Sequence, residues 1–178
     1  MMETERLFLR KLQDYDVDEI FKMRSDVEIM RYIREPQMNR EESINWIKMI
    51  SSKWDTESIG FCGLIEKSSK DFVGWCGLWR LVETGEIEVG YAIIKDFQGK
   101  GYATEAAKRC LQYGFEELNL EKIVAVAFPE NEASQSVMKR LGMKYVCIGK
   151  FYDKDLVQYA ITKEDFVEQL RKRDGHNQ

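Results

Sequence analysis

The sequence has few of the residues that build metal centres or disulfide frameworks. It contains one histidine, His176, and four cysteines, Cys62, Cys76, Cys110 and Cys147, with no CxxC pair. Zinc sites need closely spaced cysteine and histidine ligands, so we expect no metal cofactor. A disulfide framework is typical of much shorter secreted chains. We therefore predict reduced, mostly buried thiols.

Long apolar runs and an excess of basic residues are also missing. No stretch approaches the ~20 apolar residues that span a bilayer. The first residues, MMETERLFLRKL, lack the apolar segment of a signal peptide. The net charge of −4 argues against a nucleic-acid-binding protein, which usually has a basic face. We expect a cytoplasmic protein with neither nucleic-acid nor membrane partners.

Apolar residues are abundant enough for one full core. The chain is 44% hydrophobic and 12% aromatic over 178 residues, which excludes a disordered protein. We find no internal repeat, linker or low-complexity tract. The sequence therefore predicts a single domain over residues 1–178.

The order of elements predicts a mixed α/β fold. Period-two apolar patterns mark the strands, three of them in succession in the middle of the chain. Helical patterns follow candidate caps, at Asn39 and at a capping box formed by Asp16 and Glu19. We expect about seven strands in a mostly antiparallel sheet that is flanked by helices. The predicted strands are RLFLRKL, GFCGLIEKS, DFVGWCGLWRL, EIEVGYAII, EKIVAVAF, KYVCIGKFY and DLVQYAITK.

Two glycines, Gly99 and Gly101, stand just before a predicted helix in the stretch FQGKGYATEAAK. Glycine takes the positive φ that tight turns need and lets a ligand approach the backbone. The first amides of a helix have no intrahelical acceptor, and the helix dipole favours anions. Residues 98–104 are therefore a candidate phosphate cradle. A turn without a ligand is the alternative, because the P-loop pattern GxxxxGKS/T is absent and Thr104 replaces the third glycine of a dinucleotide fingerprint.

The hexamer QGKGYA matches the pattern Q-x-x-G-x-G/A, and the likeness covers nearly the whole chain. It includes EVGYAIIKDFQGKGYATEA and YGFEELNLEKIVAVAFPENEASQSVMKRLGM, with TERLFLRKL and FVGWCGLW before them. These segments together resemble the GNAT superfamily of N-acetyltransferases, in particular its RimJ/RimL-like branch, which acetylates ribosomal-protein N-termini. The resemblance implies the GNAT fold, with a sheet splayed between its fourth and fifth predicted strands. It also implies acetyl-CoA as cosubstrate and no metal.

The resemblance implies which residues hold acetyl-CoA. The loop amides would bind the pyrophosphate, in agreement with the anion cradle. The pantetheine arm would lie between two parallel strands, against backbone groups of Ala92 and Ile94, and would contact Asn131. A helix cap is the alternative role for Asn131. The implied cofactor-binding residues are Ala92, Ile93, Ile94, Gln98, Gly99, Lys100, Gly101, Tyr102, Ala103, Thr104, Asn131 and Ser134.

Two residues are implied to be catalytic. Glu88 matches a position where relatives often keep a glutamate, which would take the amine proton, and Glu86 is the fallback on the same strand face. Many relatives carry a tyrosine as general acid where this sequence has Met138. Ser134 is therefore the candidate that stabilises the leaving thiolate. The alternative roles are a solvated strand glutamate and an exposed helix serine.

The acceptor implied by the resemblance is a primary amine, above all a protein N-terminal α-amine. Small amines such as amino acids, polyamines or aminoglycosides are the first alternative. A non-catalytic acyl-CoA sensor, or a simple interaction domain, would be a different class of protein. We expect direct transfer, because a cysteine nucleophile would need an activating base and the one histidine lies in the polar tail. Trp54, Phe151 and Tyr152 are candidate acceptor contacts, and the protein is expected to be a monomer or homodimer.

Overall fold

The structure is a computed structural model that describes residues 1–36 and 39–174, and His176 lies outside these residues. The described part of the chain contains eight strands and six α-helices. The strands are β1 (Met2–Glu3), β2 (Leu7–Lys11), β3 (Phe61–Glu66), β4 (Phe72–Arg80), β5 (Ile87–Ile93), β6 (Lys122–Ala127), β7 (Lys144–Phe151) and β8 (Lys154–Thr162). The helices are α1 (Val17–Ser25), α2 (Val27–Met30), α3 (Arg40–Glu57), α4 (Tyr102–Gln112), α5 (Glu132–Arg140) and α6 (Lys163–Asp174).

The strands form a mixed sheet in the order β1-β2-β3-β4-β5-β6-β8-β7. Strand β2 pairs antiparallel with β1 and β3, β3 with β4, and β8 with β6 and β7. Strands β5 and β6 are parallel, with Glu88 opposite Val124. The predicted fold class is therefore confirmed. The eighth strand is β1, whose two residues are too few to show a period-two pattern.

The chain divides into two compact units. The first unit comprises Met1–Trp79 and Gly90–Cys110, and the second comprises Arg80–Val89 and the chain from Leu111 onward. Strand β5 contributes residues to both units, with the division after Val89. The expectation of one domain over residues 1–178 stays a prediction.

The core of the first unit is rich in aromatic rings. The ring centroids of Phe61 and Trp75 are 4.5 Å apart, and those of Phe61 and Trp46 are 5.9 Å apart. Helices α1 and α3 add the fully buried Ile20 and Ile50. Trp46 and Trp75 are buried in this cluster, so they stabilise the fold by removing aromatic surface from water.

One cluster of buried residues in the second unit is mostly aliphatic. It joins Leu81, Val124, Phe151 and Leu156. Phe151 is only 5% exposed and packs in this core, which gives it a structural role, and its contact with the acceptor stays a prediction. Helix α6 is attached separately, through a contact of 5.2 Å between the ring centroids of Phe115 and Phe166.

Helix caps show where local sequence signals succeed and fail. Asn39 caps α3 as predicted, because its side-chain oxygen accepts from the Glu42 amide at 2.9 Å. The capping box at Asp16 is wrong, since this carboxylate makes no cap hydrogen bond to α1. Its two oxygens instead accept from the Arg10 guanidinium at 2.6 and 2.7 Å. A bidentate, charge-assisted pair is stronger than one hydrogen bond to a helix amide.

The cysteines are free thiols, as predicted. Cys62, Cys76 and Cys110 are buried and Cys147 is half-buried. Burial raises the pKa of the Cys62 and Cys76 thiols, which makes them poor nucleophiles at neutral pH. Within residues 1–36 and 39–174, none of the helices combines the length and apolar character needed to cross a membrane.

Candidate active site

The glycine loop of the first unit has the backbone conformation that its sequence predicts. Gly99 and Gly101 have φ angles of +74° and +86°. A Cβ atom on Gly99 would meet nothing within 4 Å, so the left-handed backbone, not crowding by the protein, requires glycine here. Residues 98–101 are exposed and lead into α4. The loop and the first amides of α4 therefore fit a bound anion such as a pyrophosphate.

Arg6 attaches this loop to the start of the chain. Its guanidinium donates to the Lys100 carbonyl at 3.0 Å and forms an ion pair of 2.6 Å with Glu105, in the first turn of α4. It also lies 4.6 Å from the centroid of the Tyr102 ring. The Thr4 hydroxyl donates to the same Glu105 carboxylate at 2.5 Å. Arg6 thus contacts the bend between its two glycines, at Lys100, and the first turn of the helix that follows, at Glu105.

The end of β5 corrects one predicted contact. The Ile94 amide donates to the Val73 carbonyl at 3.0 Å, so it cannot donate to a pantetheine arm, and the prediction for this group is wrong. Backbone groups alternate along a strand, so Ile93 exposes its groups on the opposite side from Ile94. There the Ile93 carbonyl accepts from the Gln98 side chain at 2.9 Å. The backbone groups of Ala92 point to the same side of β5 as those of Ile94. Ile93 is therefore the candidate residue for backbone contacts with the pantetheine arm.

The start of α5 lies in the second unit and carries the predicted N-x-x-S element. The Asn131 side-chain oxygen accepts from the Ser134 amide at 3.0 Å, which is a helix cap. The cap uses only this oxygen, and the side-chain NH₂ group is a separate donor for a ligand. Ser134 is half-buried, so it is not simply an exposed helix serine. Met138 is 1% exposed and has no proton to donate.

Glu88 has the most unusual environment among the predicted catalytic residues. It lies on β5 in the second unit and is only 7% exposed. The Tyr152 hydroxyl donates a short hydrogen bond to its Oε1 atom. Burial, the largest influence, raises the pKa of Glu88 to about 7, the hydrogen bond from Tyr152 lowers it, and the charge of Glu83 raises it. A carboxyl group with this pKa can accept and release a proton near neutral pH.

Glu86, the fallback base, is held as a stable anion. It pairs with Lys122 at 2.5 Å and accepts from the Gln158 side chain at 3.0 Å. The hydrogen bond from Lys122 lowers the pKa of Glu86. A carboxylate that is already bonded to a lysine is a weak base, so the structure separates the two glutamates and favours Glu88.

Tyr152 is placed by an unusual turn. Phe151 pairs with Lys154, so Tyr152 and Asp153 form a two-residue turn between β7 and β8. Their φ angles are +53° and +58°, values that such turns normally assign to asparagine and glycine. The Tyr152 amide donates to the Glu83 carboxylate. The sequence predicted Tyr152 only as a candidate acceptor contact, whereas the structure places its hydroxyl on Glu88.

Trp54, the remaining candidate acceptor contact, lies against the aromatic core of the first unit. The Trp54 indole donates to the Phe61 carbonyl at 3.2 Å and packs against the aromatic core, which gives it a structural role. Arg6 and Glu105 were missed as loop supports, although Arg6 lies in TERLFLRKL and Glu105 in EVGYAIIKDFQGKGYATEA, two segments that resemble the GNAT superfamily. Across the described ranges, no group of three or more His, Cys, Asp or Glu side chains is arranged to hold a metal ion.

Three curated relatives resemble the chain over much of its length. The uncharacterized N-acetyltransferase YnaD of Bacillus subtilis is 31% identical over 92% of this chain and 97% of its own. The spermidine N(1)-acetyltransferase of Escherichia coli is 30% identical over 80% of this chain and 75% of its own. The putative ribosomal N-acetyltransferase YdaF of Bacillus subtilis is 34% identical over 51% of this chain and 55% of its own.

The fold is also similar to those of solved acetyltransferase structures. A GNAT-family acetyltransferase from Bacillus anthracis superposes with a TM-score of 0.79 and 28% identity, covering 92% of this chain and 98% of its own. The family model described as an acetyltransferase (GNAT) domain matches residues 6–144. That range includes the glycine loop, Glu88, Asn131 and Ser134. The chain therefore belongs to the GNAT acetyltransferases, which are acyltransferases that take the acetyl group from acetyl-CoA.

Proposed function

We propose that this chain transfers the acetyl group of acetyl-CoA directly to a primary amine, and that the amine is the α-amine of a protein N-terminus. The observation that supports this most strongly is Glu88. It is a buried carboxyl group with a pKa of about 7 on the strand that leads to the glycine loop. A general base is most effective when its pKa lies near the working pH.

In the proposed reaction the amine nitrogen attacks the thioester carbonyl carbon of acetyl-CoA. A C–N bond forms, the C–S bond breaks, and one proton of the amine passes to the Glu88 carboxylate. The thiolate leaves and takes one proton from solvent to become the thiol, and Glu88 returns its proton to solvent. Ser134 stabilises that thiolate by a hydrogen bond. The thiolate needs modest help, because thiols have a pKa of ~8.5. Met138 makes such a donor necessary, since it replaces the tyrosine of many relatives.

The glycine loop performs binding in this proposal. The amides of residues 98–104 hold the pyrophosphate, with Gly99 and Gly101 in the left-handed conformation. Arg6 keeps the bend in place through Lys100 and Glu105. Ile93 and Asn131 are the candidates for the pantetheine arm. None of these groups takes part in proton transfer, so their variants should change binding and leave the pH dependence unchanged.

The pKa of the base favours an α-amine over an alkylamine. Protein α-amines titrate at ~7.7–8.0, whereas the lysine ammonium titrates at ~10.4. A base with a pKa of about 7 matches the first class and has little capacity to deprotonate the second. The relatives bear names from both classes, a putative ribosomal acetyltransferase and a spermidine acetyltransferase. Transfer to a small amine therefore remains the second candidate.

The deciding experiment measures acetyl transfer from acetyl-CoA to a panel of acceptors by mass spectrometry. The panel contains peptides with a free α-amine and no lysine, the same peptides with a blocked N-terminus and an added lysine, single amino acids, and spermidine. We expect transfer to the free α-amine peptides and little transfer to the blocked ones. Transfer confined to spermidine or to amino acids would overturn the protein acceptor and support the small-amine alternative.

Coenzyme A binding, measured by calorimetry on the same preparation, separates the remaining alternatives. Binding without transfer to any member of the panel would support an acyl-CoA sensor and overturn the enzyme proposal. The absence of binding would overturn the role of the glycine loop as well.

A further inference from the structure

The turn between β7 and β8 contains a tyrosine where the backbone favours another residue. Both central residues of a two-residue turn of this kind need positive φ, which side chains other than those of glycine, asparagine and aspartate adopt at an energetic cost. Tyr152 has φ +53° and is 42% exposed. The adjacent Phe151 is buried and already supplies the packing that an aromatic ring gives a core. Neither backbone preference nor burial explains a tyrosine at this position.

Two carboxylates hold Tyr152 in place. The Glu83 carboxylate accepts from its backbone amide, and the Glu88 carboxylate accepts from its hydroxyl. Both acceptors lie on the segment Arg80–Val89 of the same unit. A residue held at its backbone and at the tip of its ring has one fixed orientation. The strained turn therefore places the phenol hydroxyl of Tyr152 at the Oε1 atom of Glu88.

We propose that Tyr152 is the positioning residue for Glu88: its hydroxyl fixes the carboxylate through Oε1 and directs Oε2 toward the acceptor amine. This inference rests on the proposed function, in which Glu88 receives the amine proton. It adds a residue from the β7–β8 turn that acts through the base and does not itself exchange a proton. The donated hydrogen bond also stabilises the charged carboxylate, so that it is not fully neutralised by burial.

Among the residues that the structure describes, two polar groups act on the pKa of Glu88 besides burial. Glu83 lies on the turn between β4 and β5 and disfavours the Glu88 anion by charge repulsion, and Tyr152 lies on the β7–β8 turn. From β6, the residue opposite Glu88 is the apolar Val124, and Lys122 is paired with Glu86. On β8, Gln158 donates to Glu86 and carries no charge. Tyr152 is therefore the group whose removal should change the protonation of Glu88 most.

The test compares pH profiles of kcat/KM for the unmodified protein and for Tyr152→Phe, with one acceptor peptide. Loss of the hydroxyl removes a stabilising contact of the Glu88 anion, so the acid limb should move to higher pH by roughly one unit. At about pH 7, kcat/KM should fall roughly fivefold, and it should recover above about pH 9. The acceptor is the same in both reactions, so its own titration cannot produce the shift.

Two further variants separate positioning from a structural role. Tyr152→Asn provides a residue that the turn backbone prefers, so it should fold at least as stably and still show the shifted profile. Tyr145→Phe removes the same hydroxyl group from an exposed tyrosine of β7 and should keep the original profile. An unchanged acid limb in both Tyr152 variants would overturn the inference.

The inference and the proposed function fail in different ways. If the unmodified protein transfers acetyl, and Glu88→Gln removes this activity while the Tyr152 variants keep the original profile, only the role of Tyr152 is wrong. If the unmodified protein acetylates no acceptor, the proposed function itself is wrong. If it transfers acetyl and Glu88→Gln keeps full activity, the assignment of Glu88 as the base is wrong, and the role of Tyr152 is wrong with it.

Discussion

Two bends in this protein adopt left-handed backbone and solve the same steric problem in opposite ways. The loop before α4 uses Gly99 and Gly101, with open space beside Gly99. The β7–β8 turn uses Tyr152 and Asp153, at φ angles of +53° and +58°. In our proposals the backbone amides of the first bend bind the pyrophosphate, and glycine is suitable there because it leaves them accessible. The proposed functional group of the second bend is the Tyr152 hydroxyl, and this bend keeps a residue that the backbone disfavours.

The two bends also differ in what holds them. The glycine loop is held from outside, by Arg6 and Glu105. The Tyr152 turn is held by its own contacts with Glu83 and Glu88. A change in the first bend should therefore affect cofactor affinity, whereas a change around the second should affect proton transfer.

The largest effect is expected at the carboxylate that the second bend contacts. Glu88→Gln should lower kcat/KM by about 10²–10³-fold at about pH 8, because the amine proton loses its acceptor. Acetyl-CoA affinity, measured by calorimetry, should stay the same. The matched variant Glu86→Gln decides between the two glutamates, and we expect it to lose less than about threefold since Glu86 is paired with Lys122. A larger loss in Glu86→Gln than in Glu88→Gln would assign the base to Glu86.

The same buried carboxyl group should cost stability at alkaline pH. Its pKa is raised from 4.5 to about 7 by burial, so the folded state binds an extra proton between these two values. The stability contributed by this proton is complete below about pH 4.5 and is lost as the pH rises through about 7. Glu88→Gln should therefore be more stable than the unmodified protein by up to about 3 kcal/mol at about pH 8, relative to their difference at about pH 4.5. Urea denaturation at both pH values measures this, and a pH-independent difference would contradict the raised pKa.

The first bend should respond through binding. Gly99→Ala places a side chain at φ +74°, which should weaken acetyl-CoA binding about tenfold by distorting the amide cradle. Gly85→Ala is the matched control, because Gly85 has φ +72° and equally open space on another turn. Both variants should lose about 1 kcal/mol of unfolding free energy, but only Gly99→Ala should lose affinity in calorimetry. Equal losses of affinity would mean that the loop amides do not bind the pyrophosphate.

The smallest effect is expected at the second residue of the strained turn. Asp153→Gly relieves a backbone at φ +58° and should raise the unfolding free energy by about 0.5–1 kcal/mol. Transfer activity should not change, because Tyr152 keeps its contacts. Asp155→Gly, the same substitution in the extended backbone of β8, should destabilise the protein instead. If Asp153→Gly destabilised as well, the turn would not be strained.

Much of the fold follows from local sequence patterns. The strands, the Asn39 cap and the two glycines at positive φ depend on neighbours in the chain, and periodicity or residue type predicts them. The capping box at Asp16 failed for a related reason: the carboxylate found a better partner on β2 than the helix amide. A local sequence pattern shows which groups can form hydrogen bonds, but it does not show which partner each group will prefer.

The candidate site was less predictable because its contacts are distant in sequence. Glu105 is 99 residues from Arg6, and Tyr152 is 64 residues from Glu88. The Ile94–Val73 hydrogen bond shows that the backbone groups of Ile94 point toward β4, so those of Ile93 point to the other side of β5. Sheet pairing decides each of these contacts, and a single sequence does not show it.

The proposed role of Glu88 as general base requires that its carboxyl group change protonation near neutral pH in the folded protein. NMR titration of the Glu88 side-chain carboxyl carbon, assigned by comparison with Glu88→Gln, measures this directly and needs no acceptor. The structure predicts a midpoint at about pH 7. A midpoint near the ordinary value of 4.5 would show a solvated carboxylate and would contradict the role of Glu88 as general base.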